Sequence, residues 1–179
     1  MIVTNAAGCG SNLKDYGLLL ADDPAYAERA AGFSARVRDV SEVVADRAPR
    51  KPLDLRVAFQ DSCHLLHAQR LQAEPRAVLR SIPGLELVEP VEQAVCCGSA
   101  GIYNLVEPDA AAELGARKAR HVAATGADVY ASANPGCLVQ VTHALREAGR
   151  PLPAFHPVEL VDASIRGVPA SELLEGARR

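Results

Sequence analysis

Five cysteines, Cys9, Cys63, Cys96, Cys97 and Cys137, are the residues of this 179-residue chain whose type and spacing can do chemistry. An odd number does not make a disulfide framework in a reducing compartment, so they are either buried small hydrophobes or ligands, and the adjacent pair Cys96-Cys97 favours ligands. Four or five gathered thiolates suit a zinc ion or an iron–sulfur cluster. Zinc ribbons and knuckles use two close cysteine pairs across a short loop, whereas here a single cysteine, the vicinal pair and another single lie roughly 30 to 40 residues apart. That is not a zinc-finger pattern, and a structural zinc site stands as the alternative to a cluster. A third reading, a thiol redox enzyme with a strained Cys96-Cys97 disulfide, fits less well, because such sites more usually place two residues between their cysteines. Gly98, Gly101 and Gly136 let backbone N–H groups approach sulfur, or serve as plain turn residues. Cys97-Gly98-Ser99-Ala100-Gly101 lacks the lysine and hydroxyl of a phosphate-binding loop, and no grouping of serine, histidine and acid points to hydrolysis.

Strands and helices must carry these cysteines to one place. Ile2–Thr4 reads as a strand followed by the polar turn Asn5-Ala6-Ala7-Gly8-Cys9-Gly10. Asp23-Pro24 opens an amphipathic helix to about Asp46, with Tyr26, Ala30, Phe33, Val37, Val40 and Val44 on its apolar face. Ala48-Pro49-Arg50-Lys51-Pro52 ends it, because proline cannot continue a helix. Further strands fall at Leu55–Phe59, Leu85–Val88, Asp128–Ser132 and Pro153–Phe155. Helices fall at Glu74–Ser81, Glu107–Thr125, Leu138–Ala148 and Val158–Ile165. This alternation predicts an α/β fold, a parallel sheet flanked by helices. Every cysteine then lies on a strand-to-helix loop at the carboxyl edge of the strands, where open α/β folds bind ligands. Helix starts there offer unpaired N–H groups and a positive dipole end, both of which favour thiolate over thiol.

Composition narrows the function classes. With 49% hydrophobic residues, 4% aromatic and no tryptophan, the core must be built from alanine, leucine and valine, which disfavours a β-sandwich. A net charge of -3 and the absence of any basic block exclude a nucleic-acid footprint. Apolar runs such as Gly17–Ala21 and Val91–Cys97 stop well short of the roughly 20 residues that span a bilayer. The start, Met1-Ile2-Val3-Thr4-Asn5, has neither a basic segment nor a long apolar one, so the expectation is a cytoplasmic protein. Among the histidines, His64 and His67 lie one turn apart and either reach a metal or hydrogen-bond a ligand from outside. His121 and His143 read as solvated or packed, and His156 shares the carboxyl rim. Tyr103 and Asn104 either close over the site or fill the core, while Asp61 reads as a helix cap.

Asp61-Ser62-Cys63-His64-Leu65, Cys96-Cys97-Gly98-Ser99-Ala100-Gly101 and Asn134-Pro135-Gly136-Cys137-Leu138, in that order and spacing, resemble the cysteine-rich CCG domain of heterodisulfide-reductase-type proteins. Within that family the sequence resembles the iron–sulfur subunits of glycolate oxidase (glycolate dehydrogenase). The resemblance runs over essentially the whole chain and includes the Asn5–Gly10 turn. It implies a non-catalytic electron-transfer component that works beside flavin-containing dehydrogenase subunits oxidising glycolate to glyoxylate. It implies an iron–sulfur cluster of the [4Fe-4S] kind on Cys63, Cys96, Cys97 and Cys137, relaying single electrons from the flavin partner to a quinone-side or other acceptor. Any contact with the inner face of the cell membrane would be made through those partners.

The sequence also departs from the family pattern. The general CCG motif closes with a second cysteine three residues after the last, and Gln140 stands there, so one ligand is absent or replaced. The ferredoxin-like cysteine runs of the full-length subunit do not occur here. Gly8-Cys9-Gly10-Ser11-Asn12-Leu13 echoes Gly136-Cys137-Leu138-Val139-Gln140-Val141. Residues 1–50 are therefore expected to be the remnant of a first CCG-type repeat with a linker helix, and 51–179 the CCG cluster-binding domain. Cys9, a further metal ligand on this reading, closes the first copy. The expectation that follows is a C-terminal fragment or truncated homologue with an apolar patch left open for a partner.

Overall fold

Short runs of valine, alanine and phenylalanine pair into two parallel sheets in the computed structural model, which describes residues 1–177. The order begins with β1 (Ile2–Thr4), α1 (Ala7–Leu19), α2 (Ala27–Ser34), β2 (Val37–Asp39) and α3 (Ser41–Val44). It continues through β3 (Arg56–Gln60), a π-helical turn at His64–Ala68, α4 (Ala73–Arg80), β4 (Glu86–Val88), α5 (Tyr103–Val106) and α6 (Pro108–Ala124). It ends with β5 (Val129–Ser132), α7 (Pro135–Glu147), β6 (Ala154–Phe155), α8 (Pro157–Arg166) and α9 (Ala170–Gly176). The larger sheet has the order β4-β3-β5-β6, and β1 pairs with β2 in a second, two-stranded sheet. All of these pairings are parallel, as the alternation of strands and helices requires.

Alternate side chains of the central strands point to opposite faces and build two cores. Val57, Phe59, Val129 and Ala131 join Val78 and Leu79 of α4 and Leu160 and Val161 of α8. Ala58 and Tyr130 face the other way, against Ala119 and Val122 of α6 and Val141 and Leu145 of α7. Cys97 and Cys137 belong to this second core. No helix among the described residues is long and apolar enough to cross a membrane.

The amino-terminal region differs from its sequence pattern in two places. The single helix expected over 24–46 is instead α2, β2 and α3. Val37 and Asp39 are buried while Arg38 is exposed, a period of two that a helix face cannot supply. The backbone of β2 pairs Ile2 with Val37 and Thr4 with Asp39, and Asp39 Oδ1 then accepts from the Ser41 N–H at 2.9 Å and its hydroxyl at 2.6 Å, starting α3. The polar turn Asn5–Gly10 is likewise shortened, since α1 begins at Ala7 despite two glycines. Long-range contacts override the local preference. The Ala7 N–H donates to Ala133 O at 3.1 Å, and Gln69 Nε2 donates to Ala7 O at 2.9 Å.

Candidate functional site

β3 and β5 are neighbours, yet the chain between them runs out through β4 on the far side, so the strand order reverses at the β3/β5 boundary. The crevice beyond the carboxyl ends of such a pair is where open parallel sheets hold ligands. Cys63 leaves β3, Cys137 leaves β5, and Cys96-Cys97 return to the same crevice along the loop after β4.

Each cysteine is held by its own local device. Cys63 leads directly into the π-helical turn, with His64 Nδ1 3.7 Å from its sulfur. Turns of this kind are rare and recur at functional sites. Cys96 accepts the Gly98 N–H at 3.4 Å, and the Cys97 thiol donates to Ser99 Oγ at 3.5 Å. Gly98 sits at φ +95°, and a Cβ there would stand 2.4 Å from the carbonyl oxygen of Ala111, so no side chain fits between the loop and α6. A Cβ on Gly136 would come 3.0 Å from Ser99 Oγ, which lets the α7 start press against the Cys96-Cys97 loop. Cys137 is the third residue of α7 and takes its hydrogen bond from Asn134 Nδ2 at 3.6 Å. Asn134 holds the position of a helix cap, but its side chain makes no capping bond. Its Oδ1 instead accepts the Gly8 N–H at 3.2 Å, tying the start of α1 to the start of α7.

Cys96, Cys97 and Cys137 pack in one apolar cluster, and Cys63 and Cys137 line one cavity beside it. Among the described residues no three histidine, cysteine or acidic side chains stand around a single point as in a mononuclear metal site. Cys96 is pulled well below the ordinary thiol range by hydrogen bonds from Cys63 and Cys97, helped by the Gly98 and Ala100 N–H groups. Cys137 is lowered by the Cys97 hydrogen bond and by Asn134. The other two go the other way: Cys63 is pushed up by its neighbour Cys96 and by burial, and Cys97 by its neighbours Cys137 and Cys96 and by burial. Thiols this close favour shared protons over four free thiolates, and a cationic ligand must displace those protons.

Buried polar clamps set the spacing of the loops. Arg76 of α4 makes a two-pronged pair with Asp61, both bonds 2.9 Å, and a second with Glu89 at 2.9 and 2.7 Å. This joins the segment before Cys63 to the segment before Cys96. Gln93 repeats the link, its Oε1 accepting the Asp61 N–H at 3.0 Å and its Nε2 donating to Phe59 O at 2.8 Å. From α6, Arg117 and His121 hold the carboxylate of Glu92, and Lys118 Nζ donates to the Glu92 and Gln93 carbonyls. Asp61 is therefore an ion-pair partner of Arg76 and does not cap a helix.

The remaining sequence candidates scatter. Cys9 is exposed in the first turn of α1 and lines, with Cys63 and Cys137, a cavity of about 380 Å³ whose wall includes Gly101 and Gly136. It occupies the third position of α1, as Cys137 does in α7. Gln140 Nε2 donates to Ala111 O at 3.1 Å. His67 bonds the Ala94 carbonyl at 3.2 Å, His121 pairs with Glu92 at 2.8 Å, and His156 caps α8 by accepting the Val158 N–H at 3.1 Å. His143 and Asn104 line a separate groove between α6 and α7, and Tyr103 is half-buried in α5. Arg76 and Lys118 escape sequence reasoning, although Lys118 is in phase with the buried stripe Ala111, Gly115, Ala119 and Val122 of α6.

A parallel sheet with cysteines gathered from three of its loops defines the class: residues 57–142 match the CCG cysteine-rich domain. Over 83% of its length the chain is 41% identical to the probable glycolate oxidase iron-sulfur subunit of Bacillus subtilis, covering 34% of that protein. It is 32% identical over 92% of its length to the glycolate oxidase iron-sulfur subunit of Escherichia coli, covering 40% of it. It is 38% identical over 83% of its length to a fumarate reductase (CoM/CoB) subunit of Methanothermobacter marburgensis, covering 29% of it. The chain thus spans between 29% and 40% of the length of these curated relatives.

Proposed function

We propose that this chain is the cluster-holding, electron-transferring part of a dehydrogenase for 2-hydroxy acids of the glycolate type, working with flavin-containing subunits. The observation that carries the reading is the convergence of Cys63, Cys96-Cys97 and Cys137 on the β3/β5 crevice. The donor set fits an iron–sulfur cluster: four sulfurs, N–H donors aimed at two of them, and the Cys97 and Cys137 side chains buried in an apolar layer. Its similarity to two iron-sulfur subunits of glycolate oxidase supports the same chemistry. Cys63, Cys96, Cys97 and Cys137 are the proposed ligands. A bound cluster supplies one-electron storage and transfer. Gly98 and Gly136 keep the two cysteine loops in contact, Asn134 and the Gly98 N–H direct hydrogen bonds to sulfur, and Gly101 shapes the cavity wall.

Residues 1–50 are proposed to be the end of a first CCG-type unit. The matching places of Cys9 and Cys137, and the parallel pairs β1-β2 and β5-β6, support this. Anaerobic reconstitution with iron and sulfide tests both readings. About four iron atoms per chain with broad visible absorbance are expected. Cys96→Ser should lose the iron, and Cys9→Ser should keep it. Colourless protein with one zinc, or a Cys96→Ser variant with full iron, would overturn the ligand set.

A further inference from the structure

Lys118 is 1% exposed on the inward face of α6, among Ala111, Gly115, Ala119 and Val122. That face lies on the cysteine loop. A Cβ on Gly98 would meet Ala111 O at 2.4 Å, and one on Gly115 would come 3.7 Å from the carbonyl oxygen of Cys97. Lys118 lies one helical turn beyond Gly115 and reaches the segment that leads into Cys96-Cys97. Among the described residues its ammonium donates only to carbonyls, those of Glu92 and Gln93. The carboxylate of Glu92 is taken by Arg117 and His121, and among the described residues Lys118 makes no ion pair. A buried cation without a counter-charge is costly, and an amide side chain would tie down a carbonyl without that cost. Burial pulls the Lys118 ammonium below the ordinary lysine value, and its neighbours Cys97, Glu92, Cys137 and Cys96 pull it back up.

We infer that Lys118 is a built-in counter-cation of the thiolate site, a positioning residue whose fixed positive charge favours the more negative state of the group the cysteines hold and so raises its reduction potential. The inference rests on the iron–sulfur reading above. One-electron reduction adds negative charge to the site, and a cation fixed in a low-dielectric layer stabilises the reduced state more than the oxidised one.

The test is a redox titration, followed by visible absorbance and electron paramagnetic resonance, of the full chain reconstituted with iron and sulfide. Wild type is compared with Lys118→Met, Lys118→Gln and Lys118→Arg. Both neutral variants should carry wild-type iron with a midpoint potential shifted downward, and Lys118→Arg should restore it. An unchanged potential in a loaded neutral variant overturns the inference. So does a pair of neutral variants that fail to fold while Lys118→Arg folds, because the lysine would then serve only to hold the loop carbonyls. Wild type that takes up no iron removes the cluster reading itself, and this outcome is read before any variant is made.

Discussion

Asn134 shows how one side chain can serve two loops. Asparagine before a proline is a residue type that commonly caps helices. The fold uses the amide differently, with the nitrogen on Cys137 and the oxygen on the Gly8 N–H. Asn134→Asp keeps the acceptor for Gly8 and replaces the donor to sulfur with a negative charge. A lost hydrogen bond to a charged group is worth about 1.5–3 kcal/mol, so iron should leave the reconstituted variant for a chelator at least roughly tenfold more readily. Iron release unchanged from wild type would show that the amide contributes nothing at the sulfur. The cysteines and the glycines beside them were legible as residues because their types are unusual in an apolar loop. The reach of Asn134 to Gly8 was not, since 126 residues separate the two.

At the level of elements, the loops that carry Cys63 and Cys96-Cys97 are held by a charged clamp rather than by hydrophobic packing alone. Asp61 is fully buried at its side chain and meets Arg76, which also holds Glu89. Removing Arg76 leaves a buried carboxylate without a partner, a loss of about 3–5 kcal/mol, whereas removing both charges costs less. Chemical denaturation should therefore give Arg76→Ala a much lower midpoint than wild type, with Asp61→Leu/Arg76→Leu partly recovered. Equal midpoints for the single and double variants would deny the clamp. Apart from the short helical segments His64–Ala68 and Tyr103–Val106, the strands and helices of residues 55–166 could be read from period and punctuation to within a few residues, because each satisfies its own pattern locally. The stretch 24–46 could not, because Val37 and Val40 fit a helix face as well as a strand. Pairing with Ile2–Thr4 decides the matter.

For the whole molecule, stability should depend on pH through His156. Burial lowers its pKa below the ordinary histidine value of about 6.5, and its neutral Nδ1 accepts the Val158 N–H. The unfolded chain binds this proton more readily than the folded one. The stability that the neutral ring contributes is therefore complete above about pH 6.5 and is lost as pH falls below it, with a slope of up to about 1.4 kcal/mol per pH unit. Thermal unfolding between about pH 7.5 and 5 should show that decline, and His156→Asn, which keeps a capping acceptor that does not titrate, should flatten it. A variant with the wild-type slope would remove His156 as the cause. By itself the sequence determined the α/β class, the parallel alternation, and the placing of cysteines on strand-to-helix segments, all of which follow from local periodicity and turn residues. Only the tertiary structure decided that β3 and β5 adjoin, that their cysteine loops converge on one crevice, and that Arg76 and Lys118 are buried beside those loops. The reason is physical: strand order, register and the cost of a buried charge are set by residues far apart in the chain, as when Val57 pairs with Val129.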